Sequence, residues 1–157
     1  MQVIAPLLRV LDRMHELHIM HRDIKPENIF ITAAGQVKLG DFGLAIDWTK
    51  ELPFSRSGTL DYMAPGDKNI RPYSPAVDVW AVGCLAYELV CGRPPFEVED
   101  EKQTASLIIY SNTIHFESTA SAAWADFVTQ ALRKDPRVRP TASTLLSHAW
   151  IRSNLER

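Results

Sequence analysis

The first hydrophobic positions of the chain recur every three or four residues, which is the period of one face of an α-helix. They predict a helix over residues 2–18 whose apolar stripe consists of Val3, Leu7, Leu8, Leu11, Met14 and Leu17. Two short apolar runs follow, NIFIT at 28–32 and QVKLG at 36–40, and AAG separates them. Runs of this length around a glycine predict a β-hairpin with Gly35 in the turn.

The second half of the chain is mainly helical in its pattern. Residues 41–73 show no helical period and carry several glycines and prolines, so we expect a long irregular segment there. SPAVDVWAVGCLAYELVCG at 74–92 is apolar on nearly all sides and predicts a buried central helix, with Ser74 as its N-cap. Further helices are predicted at about 99–110, near 121–133 and from about Thr141 onward. The pattern predicts a mainly α, α+β domain.

Composition narrows the classes of partner. The 157 residues suffice for one domain, and a net charge of −2 gives no reason to expect nucleic acid or an anionic membrane as a partner. The longest apolar run, at 77–90, contains Asp78 and Glu88, so no membrane span is expected. Cys84 and Cys91 are too far apart on one helix for a disulfide. Reduced thiols favour an intracellular location, cytoplasmic or nuclear.

Most of the candidate chemistry lies in HRDIKPEN at 21–28, here called the catalytic loop, although such a charged octamer could also be a solvated turn. DFG begins at Asp41, after the predicted hairpin. Because a hairpin returns the chain to its starting point, we expect Asp23, Asn28 and Asp41 to converge. Amide and carboxylate oxygens suit Mg²⁺, which takes further ligands from phosphates and water. With Asp23 to accept a proton and Lys25 to meet a phosphate, this is the outline of a phosphoryl-transfer site.

Five motifs then establish a resemblance to eukaryotic protein kinases, because they occur in the order found in that family. They are HRDIKPEN, DFG, GTLDYMAP, DVWAVGCLAYELVCGRPPFE and DPRVRPTA. The match covers essentially the whole chain and resembles the C-terminal lobe of the kinase fold. It implies a partial protein kinase domain over 1–157, with a short hairpin beside the catalytic loop and a buried central helix. NIFIT with KLGDFG resembles the NIMA-related group, whereas SGTLDYMAP resembles Aurora kinases, and both subfamilies stay open.

The resemblance implies a role for each residue that matches a kinase motif. Asp23 would orient the substrate hydroxyl and accept its proton, and Lys25 would neutralise the γ-phosphate of ATP. Thr59 would bridge Asp23 and Lys25, as in serine/threonine kinases. Asn28 and Asp41 would hold Mg²⁺.

Other positions would support this site. Phe30 would lie under the adenine, and Lys25 and Glu27 would belong to the nucleotide site. Glu27 could instead select basic residues in a substrate, or be a solvated charge. The resemblance also implies structural support from His21 and Phe42, stacked in an internal spine, and from Asp78, which would brace the catalytic loop.

The irregular segment 41–73, here called the activation segment, carries a candidate phosphosite and one departure from the family. Ser55 lies three residues before Gly58, where Aurora-like kinases carry their activating threonine, and Arg22 would bind its phosphate. Ser57 and Thr49 are weaker candidates. Gly66 stands where the family has a glutamate that pairs with an arginine matching Arg139.

Two functions remain open from the sequence. The first is an ATP-dependent serine/threonine kinase lobe that uses Mg²⁺ and a protein substrate, with an activating protein partner as a further option. The chain has no G-x-G and no VAIK-like lysine upstream of the catalytic loop, so we expect a fragment of a longer kinase that is inactive alone. The second is a non-catalytic binding module. His15, His18 and His21 recur every third residue, as metal ligands can, but HELH is not the His-Glu-x-x-His of zinc proteases. Loop and core histidines are therefore favoured over a metal site.

Overall fold

The fold is mainly helical, as the sequence pattern predicts. A computed structural model describes residues 2–51, 59–65 and 73–155. In chain order, these parts contain the elements α1 (Ile4–Glu16), β1 (Ile19–Met20), β2 (Ile29–Ile31), β3 (Val37–Leu39), β4 (Ile46–Asp47), α2 (Ala76–Cys91), α3 (Glu101–Tyr110), α4 (Ala122–Ala131), α5 (Ala142–Leu146) and α6 (Ala149–Leu155). Short 3-10 turns cover Pro26–Asn28 and Leu60–Tyr62. None of the helices in these ranges has the length and apolar character needed to cross a membrane.

The expected central helix is α2, whose residues 78–87 are all buried. It packs against α1 and α4. A Cβ atom at Gly83 would lie 2.8 Å from the Cβ of Ala131, so only glycine permits this close approach of α2 to α4. Ser74 Oγ accepts a hydrogen bond from Ala76 N at 3.3 Å, and Gly92 ends the helix with φ +76°. The end at Gly92 is therefore confirmed, whereas the N-cap is Pro75, one residue after the predicted Ser74.

The first helix buries one face, as its pattern predicts. The buried residues of α1 are Ile4, Ala5, Leu7, Leu8, Leu11 and Met14. They pack on α2 and α5. Leu17, at the end of the predicted stripe, lies beyond the helix and is 52% exposed.

The hairpin is confirmed, and a second strand pair was not expected. In the antiparallel pair β2–β3, Phe30 lies opposite Lys38, and Gly35 turns the chain with φ +75°. The other pair joins β1 to β4, with Ile19 opposite Asp47. The segment 41–73, expected to be irregular, therefore contains one short strand in its described residues, 41–51, 59–65 and 73. A two-residue strand is too short to leave a period in the sequence.

The remaining helices match the prediction except at the end of the chain. The side chain of Asp100 caps α3 and that of Ser121 caps α4. The single helix expected from Thr141 is two helices, α5 and α6. They separate at His148, whose Nδ1 accepts a hydrogen bond from Trp150 N at 3.1 Å. Cys84 and Cys91 are both free thiols.

Candidate active site

The catalytic loop is bound to the central helix through one buried carboxylate. Asp78, in the first turn of α2, is fully buried. Its Oδ1 accepts a hydrogen bond from Arg22 N at 2.8 Å, and its Oδ2 accepts one from His21 N at 2.9 Å. His15 Nε2, from the last turn of α1, lies 2.9 Å from the same Oδ2. Asp78 of α2, itself contacted by His15 of α1, thus fixes the backbone next to Asp23.

Two residues around the site have left-handed backbone conformations. Arg22 has φ +68° and Asp41 has φ +52°. Such conformations cost about 1–3 kcal/mol each and cluster at functional sites. Local contacts offset the cost, because Arg22 Nε donates to Leu44 O at 2.7 Å and Asp41 Oδ1 accepts from Gly43 N at 3.2 Å.

Three of the predicted site residues contact the carboxylate of Asp23. Lys25 Nζ lies 3.5 Å from Asp23 Oδ2 and donates to Thr59 Oγ1 at 3.0 Å. Thr59 Oγ1 is 3.5 Å from Asp23 Oδ1. Asn28 Nδ2 donates to Asp23 Oδ2 at 3.1 Å and to Asp23 O at 2.8 Å. Both oxygens of the carboxylate are therefore oriented, and a cation stands beside them.

His21 connects the catalytic loop to the DFG segment. Its Nε2 lies 2.9 Å from Gly40 O, and its Nδ1 accepts a hydrogen bond from Asp23 N at 3.2 Å. These partners require the neutral tautomer with the proton on Nε2. The ring meets Phe42 edge to face, with centroids 5.0 Å apart. His21 is fully buried, whereas Phe42 is 52% exposed.

The chemistry of the donor set around Asn28 fits Mg²⁺. Asn28 is buried and uses its amide nitrogen on Asp23, so its Oδ1 is the atom suited to a cation. Gly40 N donates to Asn28 O at 2.9 Å, which brings Asp41 close to Asn28 along the backbone. In the described ranges, no three His, Cys, Asp or Glu side chains cluster as metal ligands. One amide and one carboxylate suit a cation that takes further ligands from phosphates and water.

Three apolar side chains near these residues are exposed. Phe30, Ile31 and Phe42 are each more than half exposed. A Cβ atom at Gly40 would lie 2.7 Å from Phe30 Cε2, so the ring lies directly over the glycine. The resemblance expects the adenine to bind over Phe30.

Glu27, which is exposed, belongs to a group of carboxylates. Burial raises the pKa of Glu88, and the nearby charges of Glu27, Glu97 and Asp61 raise it further. Glu88 Oε2 is buried and has no hydrogen-bond partner among the described residues. Glu27, in the catalytic loop, is therefore near enough to Glu88 for its charge to act on that carboxyl.

Of three other predicted residues, the structure describes one, Arg139. Ser55 and Gly66 lie outside the described residues. Arg139 is buried, and its guanidinium donates to the carbonyls of Ala76, Arg133 and Lys134 at 2.7–3.2 Å. Burial lowers the pKa of Arg139 to about 10. In the described part of the chain, its hydrogen-bond partners are backbone carbonyls.

Sequence reasoning missed His15, which it interpreted as a loop or core histidine. The imidazole is 13% exposed and bonds to Asp78, 63 residues away in the chain. Its only sequence signal is its position in the last turn of α1, shortly before the catalytic loop.

Comparison with known proteins identifies the family. Residues 1–151 match the protein kinase domain. The chain belongs to the eukaryotic serine/threonine protein kinase family. It is 37% identical over 142 residues to Aurora/IPL1-related protein kinase 2 of Caenorhabditis elegans, covering 90% of this chain and 46% of that protein.

Two further relatives carry Aurora names. Aurora kinase C of Mus musculus is 36% identical over 155 residues, which is 99% of this chain and 56% of the relative. An Aurora kinase of Eremothecium gossypii is 40% identical over 145 residues, which is 92% of this chain and 39% of the relative. The chain spans about half the length of the curated relatives it matches.

Proposed function

We propose that this chain is the catalytic lobe of an ATP-dependent protein kinase that phosphorylates serine or threonine hydroxyls of a protein substrate. The observation that carries the proposal is the set of contacts around Asp23. Its carboxylate is held by Asn28 and lies beside the ammonium of Lys25 and the hydroxyl of Thr59. These groups supply a proton acceptor, a charge for a phosphate and a fixed geometry, which are what phosphoryl transfer requires.

Each residue has one task in this proposal. Bound ATP and Mg²⁺ would supply the transferable phosphoryl group and neutralise much of its charge, with Asn28 Oδ1 and the Asp41 carboxylate as the metal ligands. Asp23 orients the substrate hydroxyl and accepts its proton. Lys25 places positive charge beside the transferred group, and Thr59 holds Lys25 at 3.0 Å. Asp78 keeps the loop in this conformation.

The exposed apolar side chains support a second part of the proposal. Phe30, Ile31 and Phe42 would be covered by the nucleotide and by the smaller lobe of the kinase fold. Without that lobe, the positioning of ATP is incomplete, and the 157-residue chain alone should transfer little or no phosphate.

The same exposed side chains favour a second candidate function. Exposed apolar side chains also suit the docking of a protein partner without catalysis. A binding module would bind its partner equally well with Asp23 replaced, whereas a kinase would lose phosphoryl transfer.

The test uses the chain joined to the smaller lobe of an Aurora relative. We expect Asp41→Asn to abolish peptide phosphorylation by weakening Mg·ATP binding, because a metal ligand is lost. We expect Asp23→Asn to abolish transfer while the affinity for Mg·ATP stays nearly unchanged.

The matched control is Asp12→Asn, which alters a half-buried aspartate on α1 and should keep activity. Equal loss of Mg·ATP affinity in the Asp23 and Asp41 variants would contradict the division of roles. Full phosphorylation activity in Asp23→Asn would contradict the proposed function.

A further inference from the structure

An indole contacts two histidines near the start of the activation segment. The ring centroid of Trp48 is 5.5 Å from that of His18 and 6.2 Å from that of His15, and both pairs meet edge to face. Trp48 follows β4 directly, and its backbone N donates to His18 O at 3.1 Å. The strand pair therefore holds the backbone of Trp48, and its side chain packs against the two imidazoles.

The contact with His15 reaches the catalytic loop in two further steps. His15 Nε2 lies 2.9 Å from Asp78 Oδ2, and that oxygen also accepts the backbone N–H of His21 at 2.9 Å. Asp78 Oδ1 accepts the N–H of Arg22, the residue before the proposed base. An unbroken series of contacts thus joins the activation segment to the backbone beside Asp23.

We propose that Trp48 is a positioning residue for phosphoryl transfer, acting through His15 and Asp78 on the catalytic loop. The inference rests on the proposed function for its catalytic consequence, but the contacts themselves do not depend on it. Trp48 has no place in the motifs that identify the family. Its assignment comes from the ring geometry alone.

The physical basis is the orientation of one imidazole. The side chain of His15 is 13% exposed, and the indole packs against its ring at a centroid distance of 6.2 Å. Without the indole, the ring gains rotamer freedom and contact with water, and its bond to Asp78 competes with hydration. Because Asp78 is fully buried, water cannot replace the donor that it would lose. The N–H groups of His21 and Arg22 would then be held by a less constrained carboxylate.

Amide hydrogen exchange of His21 and Arg22 in the 157-residue chain tests the positioning directly. We expect Trp48→Ala to accelerate exchange of these two amides at least tenfold relative to core amides of α2 such as that of Leu85. Trp48→Phe, which keeps an aromatic edge against His15, should restore most of the protection. The matched control is Trp150→Ala, which removes a half-buried tryptophan that packs on Phe127. Trp150→Ala should leave the exchange rates of the His21 and Arg22 amides, relative to the core amides of α2, unchanged. The same lack of change in Trp48→Ala would overturn the proposal.

A double-mutant cycle separates positioning from general packing. If Trp48 acts through His15, Trp48→Ala should have little further effect on these amides in a His15→Ala background. Additive effects of the two substitutions would overturn the proposed route. Should His15→Ala fail to fold, His15→Gln keeps a donor for Asp78 and serves as the second background.

Kinetics of the chain joined to a smaller lobe provide the catalytic readout. We expect Trp48→Ala to lower kcat at least fivefold with the KM for ATP unchanged, and Trp48→Phe to recover kcat. A changed KM with unchanged kcat would contradict positioning of the base. If the joined wild-type chain transfers no phosphate while the amide coupling holds, the proposed function fails and the contact route to the loop stands.

Discussion

Replacing Asp78 by asparagine isolates the carboxylate that holds the catalytic loop. The substitution keeps the size of the side chain but leaves one acceptor oxygen where the carboxylate has two. In the native chain those two oxygens accept from Arg22 N, His21 N and His15 Nε2 at 2.8–2.9 Å. In the better amide orientation, the remaining oxygen accepts hydrogen bonds from His21 and His15. The new NH₂ group then faces the N–H of Arg22, and two donors cannot bond to each other.

The expected change in the free energy of unfolding follows from the number of hydrogen bonds that are lost or weakened. One orphaned buried N–H costs about 1–3 kcal/mol, and the loss of charge weakens the two hydrogen bonds that remain. Asp78 is fully buried, so water cannot compensate. We expect Asp78→Asn to lower the free energy of unfolding by about 2–4 kcal/mol.

Denaturant unfolding of the 157-residue chain measures the change. Amide exchange at Arg22 should show the largest local loss of protection, since its N–H is the donor left without an acceptor. Asp12→Asn, half-buried on α1, is the control and should change stability by about 0.5 kcal/mol or less. A cost below about 1 kcal/mol for Asp78→Asn would refute the reasoning, because the three contacts would then carry no net energy.

Three other predictions follow from single contacts. Burial lowers the pKa of Lys134 to about 8, so the unfolded chain binds the extra proton above that pH. The free energy of unfolding should therefore rise between pH 7 and pH 9.5 by about 1 kcal/mol more in the wild type than in Lys134→Met, after allowance for solvent screening of this half-buried group. Denaturant unfolding at the two pH values measures this difference. Gly83→Ala should cost about 1–3 kcal/mol in the same assay, because its Cβ would lie 2.8 Å from that of Ala131. Glu27→Gln should lower the pKa of Glu88 part-way in an NMR titration, since burial, the larger cause, remains.

The elements that the sequence predicted are those with long or tightly bounded patterns. α1 has thirteen residues and α2 has sixteen, so each offers several turns of periodic hydrophobic positions. The hairpin was predictable because glycine marks its turn. The pairing of β1 with β4 was not, because two-residue strands carry no period and their partners lie 26 to 28 residues apart.

The contacts of the candidate site also divide into those that the sequence predicted and those that it did not. The contacts among Asp23, Lys25 and Asn28 lie within eight consecutive residues, and the motif suffices to suggest them. The bond from His15 to Asp78 depends on how α1 packs against α2, which no local pattern specifies. The contact of Trp48 with His15 further depends on the short pair β1–β4. The sequence therefore predicted the contacts within the catalytic loop and the support that Asp78 gives it, but not the contacts of His15 and Trp48.

The partners of Arg139 change what the glycine at position 66 implies, although that position lies outside the described residues. A buried charge stripped of its partner typically costs about 3–5 kcal/mol, which is the gain expected if Arg139 had lost its only acceptor. Its Nε, Nη1 and Nη2 instead donate to backbone carbonyls, and its guanidinium lies 5.1 Å from the ring centroid of Trp80. A carboxylate introduced by Gly66→Glu would add charge neutralisation without rescuing an orphaned donor. We therefore expect thermal melts to show a gain well below that range, and a gain of its full size would show that the carbonyls do not satisfy Arg139.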